Sequence, residues 1–171
     1  MCGLVGAAGD LTGARKDVFN DLLMIDALRG GHSTGAAAVD RAKNEISVVK
    51  RPGPSQFLLM DDEYRKMIKH YNIKALIGHN RFATRGGHTE DNAHPFAFEH
   101  VVGAHNGTLD YNSIKRLHNN DQFDTDSESI YSHINEHGIE ATVDQLEGAY
   151  ALTWFDKRDN LPDDWMHIAE E

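Results

Sequence analysis

Cys2 is the one cysteine among 171 residues, and it directly follows the initiator Met1 at the head of the apolar run Cys2-Gly3-Leu4-Val5-Gly6-Ala7-Ala8. Cysteine is small enough for the initiator methionine to be cleaved in front of it. The mature chain would then begin with a residue that carries both a thiol and a free α-amine. Reference pKa values are about 8.5 for the thiol and about 7.7 to 8.0 for the amine, so near neutral pH the amine can take the thiol proton as sulfur attacks a carbonyl carbon. This is N-terminal nucleophile chemistry. The competing reading is a small buried hydrophobe, which is what a lone cysteine usually is.

Two polar, glycine-containing segments come directly after strand-like runs and supply partners for such a nucleophile. In Gly78-His79-Asn80-Arg81-Phe82-Ala83-Thr84-Arg85-Gly86-Gly87, Arg81 and Arg85 can hold a carboxylate through forked hydrogen bonds and Thr84 can add a hydroxyl donor. A surface loop with solvated arginines is the alternative. In His105-Asn106-Gly107, the Asn106 amide and the Gly107 backbone N–H can point together at a developing oxyanion, where one donor is worth about 3 kcal/mol. Asn-Gly is also the commonest pair of a tight hairpin turn, and both readings stand. His88, His94, His100 and His105 fall in one stretch of a chain with 11 histidines, but they lack metal-ligand spacing on one helical face and have no paired cysteines beside them. No metal or cofactor is expected.

These residues need a rigid frame. Leu4 to Ala8 reads as a buried strand ended by the turn Asp10-Leu11-Thr12-Gly13. Val18, Phe19, Leu22, Leu23, Ile25 and Leu28 recur at helical spacing up to the Gly30-Gly31 break. Thr34–Val39 and Ile46–Arg51 read as a hairpin stopped by Pro52-Gly53-Pro54. Asp61–Tyr71 predicts a helix with Tyr64, Ile68 and Tyr71 on one face, and Ala75–His79 a strand. Further strands are expected at His100–His105, Ala149–Phe155 and Trp165–Ala169, and helices at Ser113–Leu117, Ser127–His137 and Ala141–Leu146. Grouped strands with paired helices argue for antiparallel sheets covered by helices rather than strict βαβ alternation.

Composition narrows the class. With 40% hydrophobic residues and no repeat or low-complexity tract, 1–171 reads as a single domain. The apolar runs are far shorter than a membrane span and no signal peptide is recognisable, so no membrane association and a cytoplasmic location are expected. One cysteine allows no internal disulfide, in keeping with a reducing compartment. The formal net charge is -10 with the basic residues scattered, which argues against a nucleic-acid partner and leaves a small polar substrate.

Taken together the segments resemble the glutaminase domain of class II glutamine amidotransferases. Met1-Cys2-Gly3-Leu4-Val5-Gly6 is similar to the family's start, and Leu28-Arg29-Gly30-Gly31-His32-Ser33-Thr34-Gly35 to its Arg-Gly-x-x-Ser-x-Gly segment. His79-Asn80-Arg81-Phe82-Ala83-Thr84 resembles the family's glutamine loop, Asn92-Ala93-His94-Pro95-Phe96 its Asn-Ala-His-Pro segment, and His105-Asn106-Gly107 its oxyanion motif. Thr125-Asp126-Ser127-Glu128 and Leu146-Glu147-Gly148-Ala149-Tyr150 resemble two further blocks. Their order spans nearly the whole chain.

The resemblance implies an α+β fold, the four-layer αββα sandwich of N-terminal nucleophile hydrolases, C-terminally short here. It implies Cys2 as nucleophile with its own amine as base, Asn106 and Gly107 as oxyanion donors, Arg81 with Thr84 on the α-carboxylate of L-glutamine, and Asp126 on the α-ammonium. Phe82 would close over the substrate, and Arg29 would order the segment beside Cys2. Thr125 and Glu128 also have the spacing of a helix capping box, so Asp126 can equally be an acidic first-turn residue. Two departures from the family are Arg85, where the sugar-synthase members carry histidine, and Phe82, where tryptophan or tyrosine is common. An ammonia-accepting synthase, as partner or fused domain, is implied, and missing strands would expose a sheet edge that favours homo-oligomers. The alternative function is a non-catalytic glutamine-binding or regulatory module.

Overall fold

The computed structural model describes residues 2–40, 42–43, 45–117, 119–158 and 166–170. Its first half builds one sheet. Strands β1 (Gly3–Ala8), β2 (Ser33–Asp40), β3 (Glu45–Pro52) and β4 (Ile73–Arg81) pair antiparallel in the order β1-β4-β2-β3. Helices α1 (Gly13–Asp26), α2 (Ser55–Met60) and α3 (Asp62–Lys69) belong to this half. The second half repeats the plan with β5 (Phe96–Ala97), β6 (Val101–Leu109), β7 (Gly148–Asp156) and β8 (Met166–Glu170) in sequential antiparallel order, accompanied by α4 (Tyr111–Arg116), α5 (Asp126–His137) and α6 (Ile139–Val143).

Among the described residues, three apolar clusters give four layers. One joins Phe19, Leu23, Leu58, Tyr64 and Ile68 of the first helices to Val5, Val49 and Leu76 of the first sheet. A second joins Ile114, Ile130, Tyr131 and Ile134 to Leu152 and Trp154 of the second sheet. The third lies between the sheets and is made of Ala37, Val39, Ala75, Ile77, Val102, Ala104 and Phe155. Every residue of β2 is buried, because a central strand covered on both faces has no solvent side. Its small residues Gly35, Ala36, Ala37 and Ala38 let the layers approach closely. This is an α+β sandwich with helix, sheet, sheet and helix in succession.

The apolar pattern locates most elements, and the differences have physical reasons. Of the helical set, Phe19 and Leu23 of α1 are buried while Val18, Leu22 and Ile25 of α1, and Leu28 in the short 3-10 turn Ala27–Arg29 after it, are exposed, so the segment carries a second apolar stripe that faces solvent. Helix α3 stops at Lys69, before Tyr71, which is 82% exposed rather than on the buried face. Helix α2 has no counterpart in the sequence reading, since six residues directly after Pro54 are too few for a period to register. The helix expected over Ala141–Leu146 lies earlier, at Ile139–Val143, started at Gly138 whose φ of 83° suits glycine. Trp165, the first residue of the last expected strand, lies outside the described residues; β8 covers the rest of it.

Candidate active site

Cys2 sits immediately before β1, where Gly3 pairs with Asn80 of β4. That register brings the chain start beside the end of β4 and the loop after it. The Cys2 Sγ accepts the backbone N–H of Phe82 at 3.3 Å and lies 3.6 Å from the Phe82 carbonyl oxygen. On its other side the Cys2 carbonyl accepts from Arg29 Nε at 2.9 Å, and Arg29 also approaches Asp26 at 3.9 Å. Gly30 makes this approach possible. A Cβ there would lie 2.6 Å from both the Arg81 carbonyl carbon and the Phe82 nitrogen, so a larger residue would push the loop off the thiol. Burial raises the Cys2 thiol above its ordinary value, while the Phe82 amide and the nearby Arg81 guanidinium pull it back.

Asn106 and Gly107 are not at a hairpin turn. They lie within β6, opposite Ala151 and Tyr150 of β7, and the strand runs on to Leu109. The turn reading fails because the apolar pattern ends at His105 while the ladder continues through four more residues, three of whose side chains are not buried. Cys2, Phe82, Thr84, Asn106 and Gly107 line one open cavity of about 460 Å³ together with Thr108, Ala149, Tyr150 and Ala151. Gly107 is required by packing: a Cβ would lie 2.2 Å from the Ala149 carbonyl oxygen and 2.8 Å from His105 Nε2.

Arg81 and Asp126 stand behind this cavity rather than on its wall. Arg81 is the last residue of β4, 4% exposed, and not part of the loop that its polar surroundings in the sequence suggest. Its guanidinium donates to the Gly87 carbonyl at 2.6 Å and to the Arg85 carbonyl, so two of its five N–H donors hold the 82–87 loop. Burial pulls the guanidinium below its ordinary value, and the charges of Cys2 and Asp126 offset this. Arg85 itself is exposed and contributes its carbonyl. Asp126 opens α5, and the Thr125 hydroxyl caps that helix by accepting the Glu128 N–H at 3.2 Å. The Asp126 carboxylate accepts the Ser127 N–H at 3.0 Å and is 8% exposed.

The histidines form a packed group rather than a metal centre. His79, His94 and His105 are buried; the His79 and His94 rings lie 3.9 Å apart. His79 Nε2 bonds the His105 carbonyl at 3.0 Å across the two sheets, and His105 Nδ1 bonds the Ser127 hydroxyl at 2.9 Å. They therefore tie β4, β6 and α5 together next to Asn106. Burial pulls His79 down to about 3 and lowers His94 and His105. Among the described residues, no group of three or more His, Cys, Asp or Glu can hold a metal ion.

Two residues at the site carry no assignment from sequence reasoning. Tyr150 lines the cavity opposite Gly107; its signal lies in the Leu146–Tyr150 block, whose composition points to no chemistry. His32 lies in the segment after Arg29, and its ring stacks on Phe82 and on His88 with centroids 4.8 Å and 4.0 Å away. The Ala83 N–H donates to His32 Nδ1 at 2.9 Å.

Residues 24–152 match the model of the class II glutamine amidotransferases. The glutamine–fructose-6-phosphate aminotransferase (isomerizing) of Idiomarina loihiensis is 33% identical over 177 residues, covering 91% of this chain and 27% of that protein. The enzyme of the same name from Escherichia coli K12 is 30% identical, over 92% of this chain and 27% of its own. Thus the chain spans about a quarter of the length of these relatives. In fold, it superposes on the glutamine phosphoribosylpyrophosphate amidotransferase from B. subtilis, complexed with ADP and GMP, with a TM-score of 0.67 and 21% identity, over 99% of this chain and 36% of that one. A structure described as the allosteric regulatory enzyme of purine biosynthesis gives 0.70 and 24%, over 91% and 36%. Among the described residues no helix is long and apolar enough to cross a membrane. By its family match, this chain belongs to the class II glutamine amidotransferases.

Proposed function

We propose that the chain hydrolyses the side-chain amide of L-glutamine through a Cys2 thioester and delivers the ammonia to an acceptor site on a partner or on a further part of a longer protein. The observation that carries this is the meeting of Cys2, Thr84, Asn106 and Gly107 on one cavity, whose volume falls within the range of about 300 to 1,000 Å³ of small-molecule sites.

The chemistry runs in balanced steps. With Met1 removed, the Cys2 amine takes the thiol proton as sulfur bonds to the amide carbon, and the carbonyl oxygen becomes an oxyanion held by the Asn106 amide and the Gly107 N–H. The amine returns that proton to the departing nitrogen. The C–N bond breaks, ammonia leaves and a thioester remains. Water then adds to the thioester, the C–S bond breaks, and glutamate and the free thiol are regenerated. Substrate selection rests on charge: a zwitterionic amino acid needs a cation and an anion at fixed separation, and Arg81 and Asp126, buried beside Cys2 just outside the cavity lining, would provide that pair once the 82–87 loop that Arg81 holds moves to admit glutamine. Thr84 and Phe82 would complete the wall over the bound glutamine, and Arg29 fixes the carbonyl of the nucleophile's own residue.

The names of the curated relatives describe transfer from glutamine to fructose 6-phosphate; for this chain we propose only that an acceptor site receives the ammonia. The deciding experiment measures glutamate release from L-glutamine by the mature protein and by Cys2→Ala. Release that vanishes in the variant supports the reading. No release by the mature protein, and no γ-glutamyl hydroxamate when hydroxylamine is offered to the thioester, would leave a glutamine-binding module in its place.

A further inference from the structure

His32 has no part in the bond-making steps above, yet it grips the loop over the cavity by its backbone and by its ring. The His32 N–H donates to the Arg81 carbonyl at 3.0 Å, at the root of the loop, while its own carbonyl accepts from the Gly53 N–H at 2.9 Å. The residue is thus fixed from behind by the segment after β3. Its ring is sandwiched between Phe82 and His88, both within 5 Å and near parallel, at interplanar angles of 27° and 17°. Its Nδ1 faces the Ala83 N–H at 2.9 Å. A backbone N–H can only donate, so Nδ1 here is the unprotonated nitrogen and the ring's single proton is on Nε2.

We infer that His32 is a positioning residue for the 82–88 loop: neutral, it accepts the Ala83 N–H and holds Phe82 and Thr84 at the cavity beside Cys2, and a proton on that nitrogen releases them. The inference rests on the reading of this loop as the glutamine-binding segment. The physical reason is a change of sign at one atom. Protonated Nδ1 is a donor facing another donor, and the Ala83 N–H loses its acceptor. The same loop segment supplies the amide that touches the thiol through Phe82, so release would loosen both substrate contacts and thiol contact at once. The charged or titratable groups facing the ring are the Arg81 guanidinium at the end of β4 and the His88 imidazole in the loop; Gly53, on the far side, brings no charge. Burial, His88 and Arg81 all disfavour the cation and place the ring below its ordinary value. The neutral, gripping form is therefore the form present at neutral pH, and grip is lost on acidification.

The test uses the mature protein in two readouts. Glutaminase kinetics at about pH 7.5 and stepwise down to about pH 4.5 should give a KM for glutamine that rises in acid, by less than about tenfold at about pH 5.5 because the ring titrates below its ordinary value, and further below that. His32→Asn keeps an acceptor near the same place but cannot titrate, so its KM should stay within about twofold across that range. His32→Phe keeps the stacked ring without an acceptor and should show the high KM throughout. Hydrogen exchange of residues 82–88, corrected for intrinsic rates, should show lower protection in acid for the unsubstituted protein and for His88→Phe, and unchanged protection for His32→Asn. An acid rise in KM and in exchange that persists in His32→Asn would overturn the inference, and so would equal loop protection across the range. If no variant releases glutamate, the glutaminase reading fails, but the exchange measurement still decides the role of His32.

Discussion

Cys2 and Phe82 are separated by 80 positions, yet the backbone N–H of Phe82 points at the Cys2 Sγ from 3.3 Å. The Cys2 sulfur is thereby held by the main chain of the loop beside it, while the Phe82 ring stacks on His32. Burial works against thiol ionisation, and the Phe82 amide, with the Arg81 charge, works for it, so the loop is one of the groups that tune the sulfur.

Backbone and ring of Phe82 can be separated. Phe82→Ala retains the N–H, so the rate of Cys2 alkylation by iodoacetamide should stay within about twofold. Removing the ring exposes the cavity, and the KM for glutamine should rise about five- to tenfold. A parallel loss of alkylation would mean that the ring, not the amide, holds the thiol environment.

Asn106 and Gly107 are neighbours with different expected failures. Asn106→Ala removes the proposed oxyanion donor and should lower kcat about 10²- to 10³-fold with little change in KM. Gly107→Ala places a methyl 2.2 Å from the Ala149 carbonyl oxygen, which forces β6 from β7 and should lower the thermal midpoint by several degrees, for a cost of about 1 to 3 kcal/mol. Kinetics and a thermal scan on both variants check the contrast.

At the start of α5 the capping and binding readings of Asp126 are distinguishable. The cap is made by Thr125, so Thr125→Ala should cost about 1 kcal/mol of stability. Asp126→Asn, by contrast, should raise the KM for glutamine at least about tenfold through loss of an ion pair with the α-ammonium. If Asp126→Asn lowers stability but leaves KM alone, the carboxylate serves the helix only.

The buried histidines predict acid sensitivity, and its sign comes from proton binding. Unfolded histidine binds its proton near pH 6.5, whereas folded His79 stays neutral down to about 3. Over that window the unfolded chain holds more protons than the native one, so stability rises with pH. It is complete above about 6.5 and lost as pH falls towards about 3, by at most about 1.4 kcal/mol per pH unit for one such group. Urea midpoints measured from pH 7 to pH 5 should fall, and His79→Gln should flatten the fall. A midpoint independent of pH would contradict the buried neutral state.

The residues that line the candidate site are partly legible in the sequence because the proposed chemistry demands particular residue types. Cys2 stands out by position, and Thr125 with Glu128 by cap spacing that the helix uses. Arg81 is harder: it sits in β4, almost fully covered, because its charge is met by loop carbonyls rather than by water, and periodicity reads a charged residue as a strand end. Asn106-Gly107 illustrates the same limit, since a local turn preference is overridden by pairing with β7. His32 and Tyr150 lie in blocks that resemble the family's, but their residue types point to no chemistry of their own. Their roles come from contacts across 51 positions to Ala83 and across strands to Gly107, which only the assembled sheets create.

The most direct test of the central claim is the intact mass of the purified protein before and after treatment with a glutamine-analogue electrophile, a diazo-oxo-norleucine. The account predicts a protein lacking the Met1 mass that gains one adduct, located on Cys2 and blocked by excess glutamine. A processed protein that gains no adduct, or gains it equally in Cys2→Ala, would contradict Cys2 as the nucleophile of a glutaminase.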